Sequence, residues 1–224
     1  MKVPVLVLSA LMLAACQPQA PAPVAAPAAP EPPAAPSEPA APAAASTGAV
    51  APSFDCANAA NEIEKLVCAD PELAAVDVRL AAVYDKELNR PETVKPAMAA
   101  TQRGWVKGRD DCWKEEDKRR CVLEAYWTRL ADLQINSPET TKPTPTELRC
   151  DDNSQPVSAA FYIGFDPPTL VLTVGSDQAL LFSQPSASGS KYGRAGAEFW
   201  EHQGETKIDF YGRKLACKPA GKAD

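Results

Sequence analysis

The sequence predicts an α + β protein in separate domains, with a small disulfide-linked helical domain followed by a small antiparallel β domain. Residues 53–135 repeat apolar side chains at helical spacing, whereas residues 147–224 alternate apolar and polar residues with a period of two. A Pro/Thr-rich linker at 136–146 separates the two patterns. The cysteines agree with this division, because each half carries an even number of them once Cys16 is set apart.

The first 16 residues have the pattern of an export signal that ends in a lipid-attachment site. Lys2 precedes an apolar stretch that is too short to span a bilayer permanently, and small residues lead up to Cys16. This pattern resembles a lipobox, which implies that residues 1–15 are a signal peptide and that Cys16 becomes the lipidated mature N-terminus. An ordinary signal peptide with a chance cysteine is the alternative. Gln17, rather than Asp, favours the outer membrane, with the protein facing the periplasm.

Residues 17–52, directly after Cys16, consist almost wholly of Pro and Ala. They show no apolar periodicity, and proline lacks the backbone donor that helices and sheets need. The sequence therefore predicts a tether in polyproline II conformation. At ~3.1 Å per residue it would reach roughly 100 Å from the membrane.

Four helices are predicted in the first domain. Asp70 and Pro71 mark one helix start most clearly, because Asp is a good N-cap and proline is favoured at the first helical position. Two disulfides would support the thin core of a domain of this size. The predicted helices are Ala57–Val67, a second from Asp70 onward, Ala97–Trp113 and Lys118–Leu133.

The motifs SFDC-x11-C-x-DPELAAVD, Q-x2-W-x3-RDDC and C-x4-Y-x2-RL are similar to those of the LprI-type domain, and they cover nearly all of the first domain. That family occurs in envelope lipoproteins and includes lysozyme inhibitors. We expect Cys56 to pair with Cys68 and Cys112 with Cys121, although four cysteines allow three pairings.

A charged group in the third helix allows two interpretations. Arg103, Arg109, Asp110 and Asp111 have the composition of an active site, but charges at helical spacing beside aromatic residues are usually a solvated face with structural ion pairs. We favour the second interpretation.

The second domain contains short strands separated by Pro, Gly, Asp and Ser, which predicts one small antiparallel barrel or sandwich. Cys150 lies in the first strand and Cys217 in the last, so a disulfide between them would close nearly the whole domain. The other strands are predicted at 156–163, 169–174, 179–183, 197–202, 206–211 and 214–218.

A serine-rich stretch, SASGSKY at residues 186–192, stands out as a loop that could enter a narrow cleft. Serine hydroxyls donate hydrogen bonds to carboxylates, and lysine adds a positive charge. An ordinary flexible hairpin loop is the alternative on composition alone.

The order of RCDD, FY, L-x-L, SASGSKY, EFW and L-x-C is similar to the MliC/PliC family of c-type lysozyme inhibitors. This resemblance implies an eight-stranded antiparallel β-barrel that inserts the loop into the lysozyme cleft. The lysozyme-binding residues it implies in the loop are Ser188 first, then Ser186, Ser190, Lys191 and Tyr192.

The chain departs from this family in a second motif, where a lysine is expected shortly after a tryptophan. Here Gln203, or alternatively His202, stands at that place after Trp200. Gln203 is retained as a lysozyme-binding candidate, since glutamine still donates a hydrogen bond, though a neutral one is roughly half as strong as a charge-assisted one. Lys191 and Lys207 are close enough in sequence to supply the missing charge.

Several classes of function are disfavoured. The chain has one histidine and no C-x2-C pair, which argues against zinc, and no nucleotide fingerprint indicates a cofactor. A net charge of −6 without a basic stripe argues against nucleic acid as a partner. The sequence shows no nucleophile with a neighbouring base, which argues against an enzyme. We therefore expect an envelope-anchored inhibitor of c-type lysozyme.

Two other functions stay open. The first is an envelope lipoprotein that binds peptidoglycan or another envelope protein without inhibiting lysozyme. The second, weaker possibility is a small apolar ligand inside the barrel, although a barrel of this size is usually filled by its own side chains.

Overall fold

The computed structural model describes residues 50–221, so the predicted signal peptide, the predicted lipidation site Cys16 and most of the predicted tether lie outside the described residues. Within residues 50–221 the first half is helical. No helix in this range is long and apolar enough to cross a membrane. The helices are α1 (Glu62–Ala69), α2 (Pro71–Leu88), α3 (Lys95–Asp110) and α4 (Lys118–Asn136), with 3-10 turns at Cys56–Asn58 and Asp111–Lys114.

The start of α2 is the one that the sequence predicts. The Asp70 carboxylate accepts hydrogen bonds from the backbone N–H groups of Glu72 at 2.9 Å and Leu73 at 3.1 Å. Arg119, near the start of α4, donates to the same carboxylate at 2.6 Å. The hydrogen bond from Arg119 lowers the pKa of Asp70, so the cap is charged and ties α2 to α4.

Several helix limits differ from the prediction, two of them by three residues or more for a clear structural reason. Residues 57–61 do not belong to the first helix, because the Asn61 side chain caps α1 and forms a reciprocal capping box with Glu64. The third helix ends at Asp110 rather than Trp113, since the chain tightens into a 3-10 turn at the Cys112–Cys121 disulfide. The predicted pairings Cys56–Cys68 and Cys112–Cys121 are both confirmed.

The second half of the described chain is a closed antiparallel barrel in which each strand pairs with its sequence neighbours and β1 pairs with β8. The predicted eight-stranded barrel is confirmed. Cys150 and Cys217 face each other in the β1–β8 pair and form the third predicted disulfide. The strands are β1 (Thr146–Cys150), β2 (Val157–Tyr162), β3 (Thr169–Val174), β4 (Asp177–Ser183), β5 (Ser190–Arg194), β6 (Ala197–His202), β7 (Glu205–Phe210) and β8 (Arg213–Pro219).

Strand β5 corrects the sequence analysis, which read residues 186–192 as one loop. Ser190, Lys191 and Tyr192 pair with β6 in regular register, so the loop between β4 and β5 covers only residues 184–189. The Tyr192 ring points into the barrel, where it packs edge-on against Phe161 and lies beside Phe199. Pairing with β6 and the burial of Tyr192 give the segment its strand character.

The barrel interior is filled by its own side chains. Leu170, Leu172 and Leu181 have no exposed surface, and aromatic rings from β2, β5, β6 and β7 fill the remaining space. Side chains from opposite strands thus occupy the space that an apolar ligand would need, as expected for a barrel of this size.

The helical domain packs against the outside of the barrel at β4 and β5. The Trp127 ring of α4 lies 5.3 Å, centroid to centroid, from the ring of Phe182. Phe182 is fully buried, whereas its neighbour Leu181 belongs to the barrel core, so Phe182 is covered from outside. Glu124 of α4 accepts a hydrogen bond from the backbone N–H of Ala195.

Candidate functional site

The serine-rich loop, residues 184–189, leaves β4 at one end of the barrel and is held by hydrogen bonds of its own. The Ser186 hydroxyl donates to the carbonyl oxygen of Ser188 at 2.6 Å, and the Ser188 N–H donates back to the Ser186 hydroxyl at 3.4 Å. Both side chains are exposed. Within residues 50–221 no hydrogen bond uses the Ser188 hydroxyl, so this group is available to a partner.

The same loop is fixed to strand β6. The indole N–H of Trp200 donates to the Ser188 carbonyl at 3.1 Å. Gly189 has a φ of +73° and lies directly on the β6 backbone, where a Cβ atom would overlap the carbonyl oxygen of Glu201. The serine-rich loop is therefore a pre-ordered structure that needs glycine at position 189.

The turn between β6 and β7 lies at the same end of the barrel as this loop. Gln203 has a φ of +54° and forms the turn with Gly204, whose φ is +80°. The Gln203 side chain is exposed, and the backbone at His202 is within 3.2 Å of the position that a Gly189 Cβ would occupy. The structure thus brings Ser186, Ser188 and Gln203 to one exposed edge.

Of the remaining candidates, Ser190 starts β5 and is exposed opposite Glu201. Lys191 is half-buried and forms an ion pair with Glu198 at 2.9 Å. Tyr192 is only 8% exposed, and burial raises the pKa of its hydroxyl. The exposed group at this edge therefore consists of the three serines and Gln203, with Lys191 partly engaged and Tyr192 beneath them.

An aromatic and cationic groove beside the loop was not singled out by the sequence. Trp200 and His202 stack with 5.6 Å between ring centroids, and the Lys207 ammonium lies 5.8 Å from the Trp200 ring centroid. Together with Gln203, Glu205 and Lys218 they line a groove of about 450 Å³, in which Glu205 pairs with Lys218 at 3.6 Å. Period-two alternation puts Trp200 and His202 on one face, but only the strand register shows that Lys207 lies opposite Trp200.

The charged group of the helical domain is more buried than the sequence indicated. Arg109 is 5% exposed, donates to the Tyr126 hydroxyl at 2.9 Å and pairs with Asp110 at 2.7 Å. The Tyr126 hydroxyl in turn donates to Asp77 at 2.8 Å. Burial, reinforced by the Asp77 carboxylate, raises the pKa of Tyr126, which keeps its hydroxyl protonated as a donor.

The prediction that this group forms structural ion pairs is therefore confirmed for Arg109, and the prediction of a solvated face is wrong for it. Asp111 is exposed and pairs with Lys114 at 2.7 Å. Arg103 lines a surface groove with Asp110 and Trp113. Within residues 50–221 no cluster of three or more His, Cys, Asp or Glu side chains could hold a metal ion.

Comparison with known proteins assigns a class to each half. A family model described as "Lysozyme inhibitor LprI" matches residues 56–140, and one described as "Membrane-bound lysozyme-inhibitor of c-type lysozyme" matches residues 149–216. The chain thus joins two regions that each match a family of lysozyme inhibitors. No solved structure matches the chain.

Three relatives match most of the chain. Proteins called lipoprotein LprI from two strains of Mycobacterium tuberculosis and one of Mycobacterium bovis are 42% identical to this chain over 166 residues, which cover 74% of this chain and 83% of the relative. The chain belongs to the lipoprotein LprI family.

The close approach of the loop to β6 predicts that Gly189→Ala destabilises the protein more than Gly204→Ala. Both glycines have a positive φ, so both substitutions carry left-handed strain of about 1–2 kcal/mol. Only at Gly189 would the new Cβ also overlap backbone, whereas nothing lies within 4 Å at Gly204. The measurement is the free energy of unfolding in urea. Equal losses in the two variants would contradict this account of the loop.

Proposed function

We propose that this protein is an envelope-anchored inhibitor of c-type lysozyme that blocks the enzyme's cleft with the serine-rich loop. The observation that carries the proposal is the exposed and pre-ordered loop on a barrel of a lysozyme-inhibitor family. Glycoside hydrolysis by lysozyme uses two carboxyl groups in a cleft. Hydroxyl donors on a narrow, fixed loop suit such a pair of acceptors.

Ser188 is the first candidate for the contact with a lysozyme carboxylate. Its hydroxyl is exposed and unused within the described chain, while its backbone is fixed by Trp200 and Ser186. The Ser186 hydroxyl, by contrast, is already engaged inside the loop. Ser188 therefore offers a free donor whose position is set before binding, which reduces the entropy lost on association.

Lys207 supplies the positive charge that the chain lacks at position 203. It lies over Trp200 in the groove that also contains Gln203, and its side chain is exposed. Within residues 50–221 no carboxylate forms an ion pair with Lys207, whereas Lys191 pairs with Glu198. A partner carboxylate would thus find the cation of Lys207 without first displacing an internal partner.

The anchoring part of the proposal rests on the N-terminal sequence and on relatives that are called lipoproteins. Cleavage after Ala15 and lipid attachment to Cys16 would fix the protein to the outer membrane, facing the periplasm. The Pro/Ala-rich tether would then let both domains reach lysozyme near the wall.

Lysozyme inhibition is tested by adding the mature protein to a c-type lysozyme and a cell-wall suspension. Ser188→Ala is expected to raise the inhibition constant by about 10- to 150-fold, because a hydrogen bond to a charged group contributes roughly 1.5–3 kcal/mol. Ser176→Ala is the matched control, since Ser176 is an exposed serine in the turn after β3, at the other end of the barrel. An inhibition constant unchanged by Ser188→Ala would remove the loop mechanism.

If micromolar wild-type protein does not slow lysis, the proposal of inhibition fails as a whole. Binding of the protein to isolated cell-wall sacculi in the same buffer would then favour the alternative function, a peptidoglycan-binding lipoprotein.

Lys207→Gln is expected to weaken inhibition by about tenfold and to reduce its dependence on salt, because a charge-assisted bond becomes neutral. Lys191→Gln removes the same charge from β5, on the other side of β6, where Glu198 already engages it, and should have a smaller effect. Inhibition constants of both variants at low and high salt provide the measurement. A larger loss from Lys191→Gln would assign the role to Lys191 instead.

Cys16→Ser is expected to abolish lipid attachment and to move the protein from the membrane fraction to the soluble fraction, because serine lacks the sulfur that carries the lipid. The measurement is incorporation of a labelled fatty acid, together with fractionation of cells that express the variant and the wild type. A variant that still carries label in the membrane fraction would contradict the assignment of Cys16.

A further inference from the structure

The serine-rich loop connects β4 and β5, the two neighbouring strands that share the fewest paired positions in the barrel. The line of pairing between two neighbouring strands is called a seam below. Strands β4 and β5 pair at only two positions, Phe182 with Gly193 and Ser183 with Tyr192. By comparison, β3 and β4 pair at six positions and β5 and β6 at five. One further backbone bond, from the Gln184 N–H to the Lys191 carbonyl at 2.9 Å, extends the seam toward the loop. A seam with so few ladder bonds opens more readily than its neighbours.

Helix α4 crosses this seam on the outside of the barrel. Trp127 contacts Phe182, which lies at the end of β4, with 5.3 Å between ring centroids. Glu124 lies three residues earlier on the same helix face. Its two carboxylate oxygens accept hydrogen bonds from the backbone N–H of Ala195 at 3.0 and 3.1 Å. Ala195 directly follows β5. One helix thus holds both strands of the hairpin that carries the serine-rich loop.

The contact between Glu124 and the Ala195 N–H is shielded from solvent. The Glu124 side chain is 8% exposed and pairs with Arg120 at 2.8 Å. A buried carboxylate is costly unless it is paired and hydrogen-bonded, so loss of the Ala195 N–H would leave part of this cost uncompensated. Arg79 of α2 adds an ion pair to Asp166 in the loop between β2 and β3.

Two of the three short seams of the barrel are reinforced in different ways, while β1 and β2 also pair at only three positions. The seam between β1 and β8 has three paired positions and is crossed by the Cys150–Cys217 disulfide. The seam between β4 and β5 has no such covalent link in the described chain, and α4 takes that place.

We propose that Trp127 and Glu124 are positioning residues for the serine-rich loop, so that the helical domain is a splint that holds the β4–β5 hairpin in its inhibitory form. The part of this inference that concerns lysozyme rests on the proposed function. The part that concerns the order of the loop does not.

The first test is hydrogen exchange in the full mature protein. Trp127→Ala removes the ring that covers Phe182, and amides in a peptide spanning residues 184–193 are expected to exchange about tenfold faster. Trp113→Ala is the matched control, because Trp113 is a 55% exposed tryptophan in the 3-10 turn before α4. It should leave exchange in this peptide unchanged.

The second variant, Ala195→Pro, addresses the risk that Trp127→Ala unfolds the helical domain. This substitution removes the backbone N–H that donates to Glu124, and it leaves the side chains of the helical domain unchanged. Ala195 precedes Gly196, whose φ is +80°, an arrangement in which proline is favoured at the first turn position. Faster exchange of residues 184–193 is again expected, with the exchange of α2 and α4 unchanged.

The same variants are then assayed for lysozyme inhibition. If the helical domain acts as a splint, Trp127→Ala and Ala195→Pro should inhibit lysozyme more weakly than the wild type, although neither residue lies in the serine-rich loop. The control Trp113→Ala should inhibit as strongly as the wild type. Wild-type exchange in residues 184–193 of both interface variants would overturn the splint whatever the assay shows. If the wild-type protein does not inhibit lysozyme, the proposed function fails while the exchange data still decide the splint.

Discussion

The burial of helix α4 on two sides is the constraint on which the rest of the structure depends. One side places Val122, Tyr126 and Leu130 in the core of the helical domain, where each is at most 2% exposed. The other side presents Glu124 and Trp127 to the barrel. Because both sides are buried, the helix has no wide polar face, and neither domain can change its contact with α4 without affecting the other.

Hydrogen-bond partners for the polar groups on α4 offset the free-energy cost of burying the helix on two sides. Tyr126 lies between Asp77 and Arg109, so its hydroxyl both donates and accepts inside the helical core. Glu124 meets a backbone donor of the barrel and the cation of Arg120. Buried polar groups without such partners would each cost about 1–3 kcal/mol. The sequence showed these charges but not their burial, because Asp77, Arg109 and the Ala195 N–H come from distant elements and only Arg120 lies on α4 itself.

Local signals predicted much of the fold. Asp70 and Pro71 specify a helix start through capping and a fixed φ, and strands β3 and β6 have the limits that alternation predicts. Strand β5 was missed because serine and glycine are typical of loops. Its strand character comes from pairing with β6 and from the burial of Tyr192 against distant rings. Neither is visible in a local window.

The candidate site was also predictable only in part from the local sequence. The serine-rich loop could be recognised from composition and motif order, but the Trp200–Ser188 bond and the position of Lys207 over Trp200 depend on register between strands. Leu181 and Phe182 illustrate the limit of alternation. Two consecutive buried apolar residues indicate that both faces of β4 are covered, yet nothing in the strand itself identifies α4 as the cover.

Pre-ordering of the loop is decisive for the proposed binding surface, because that surface is made of serines. Fixing a free backbone costs about 1–2 kcal/mol per residue, so ordering the loop at 184–189 on binding would cost on the order of 10 kcal/mol. A hydroxyl hydrogen bond to a carboxylate contributes only about 1.5–3 kcal/mol, and a micromolar complex has roughly 8 kcal/mol in total. Small hydroxyl side chains cannot offset such a cost at the moment of binding. The loop's internal bond, the close approach of Gly189 to β6 and the α4 contact at the seam each meet part of that cost during folding, which leaves the exposed Ser188 hydroxyl free to add net affinity.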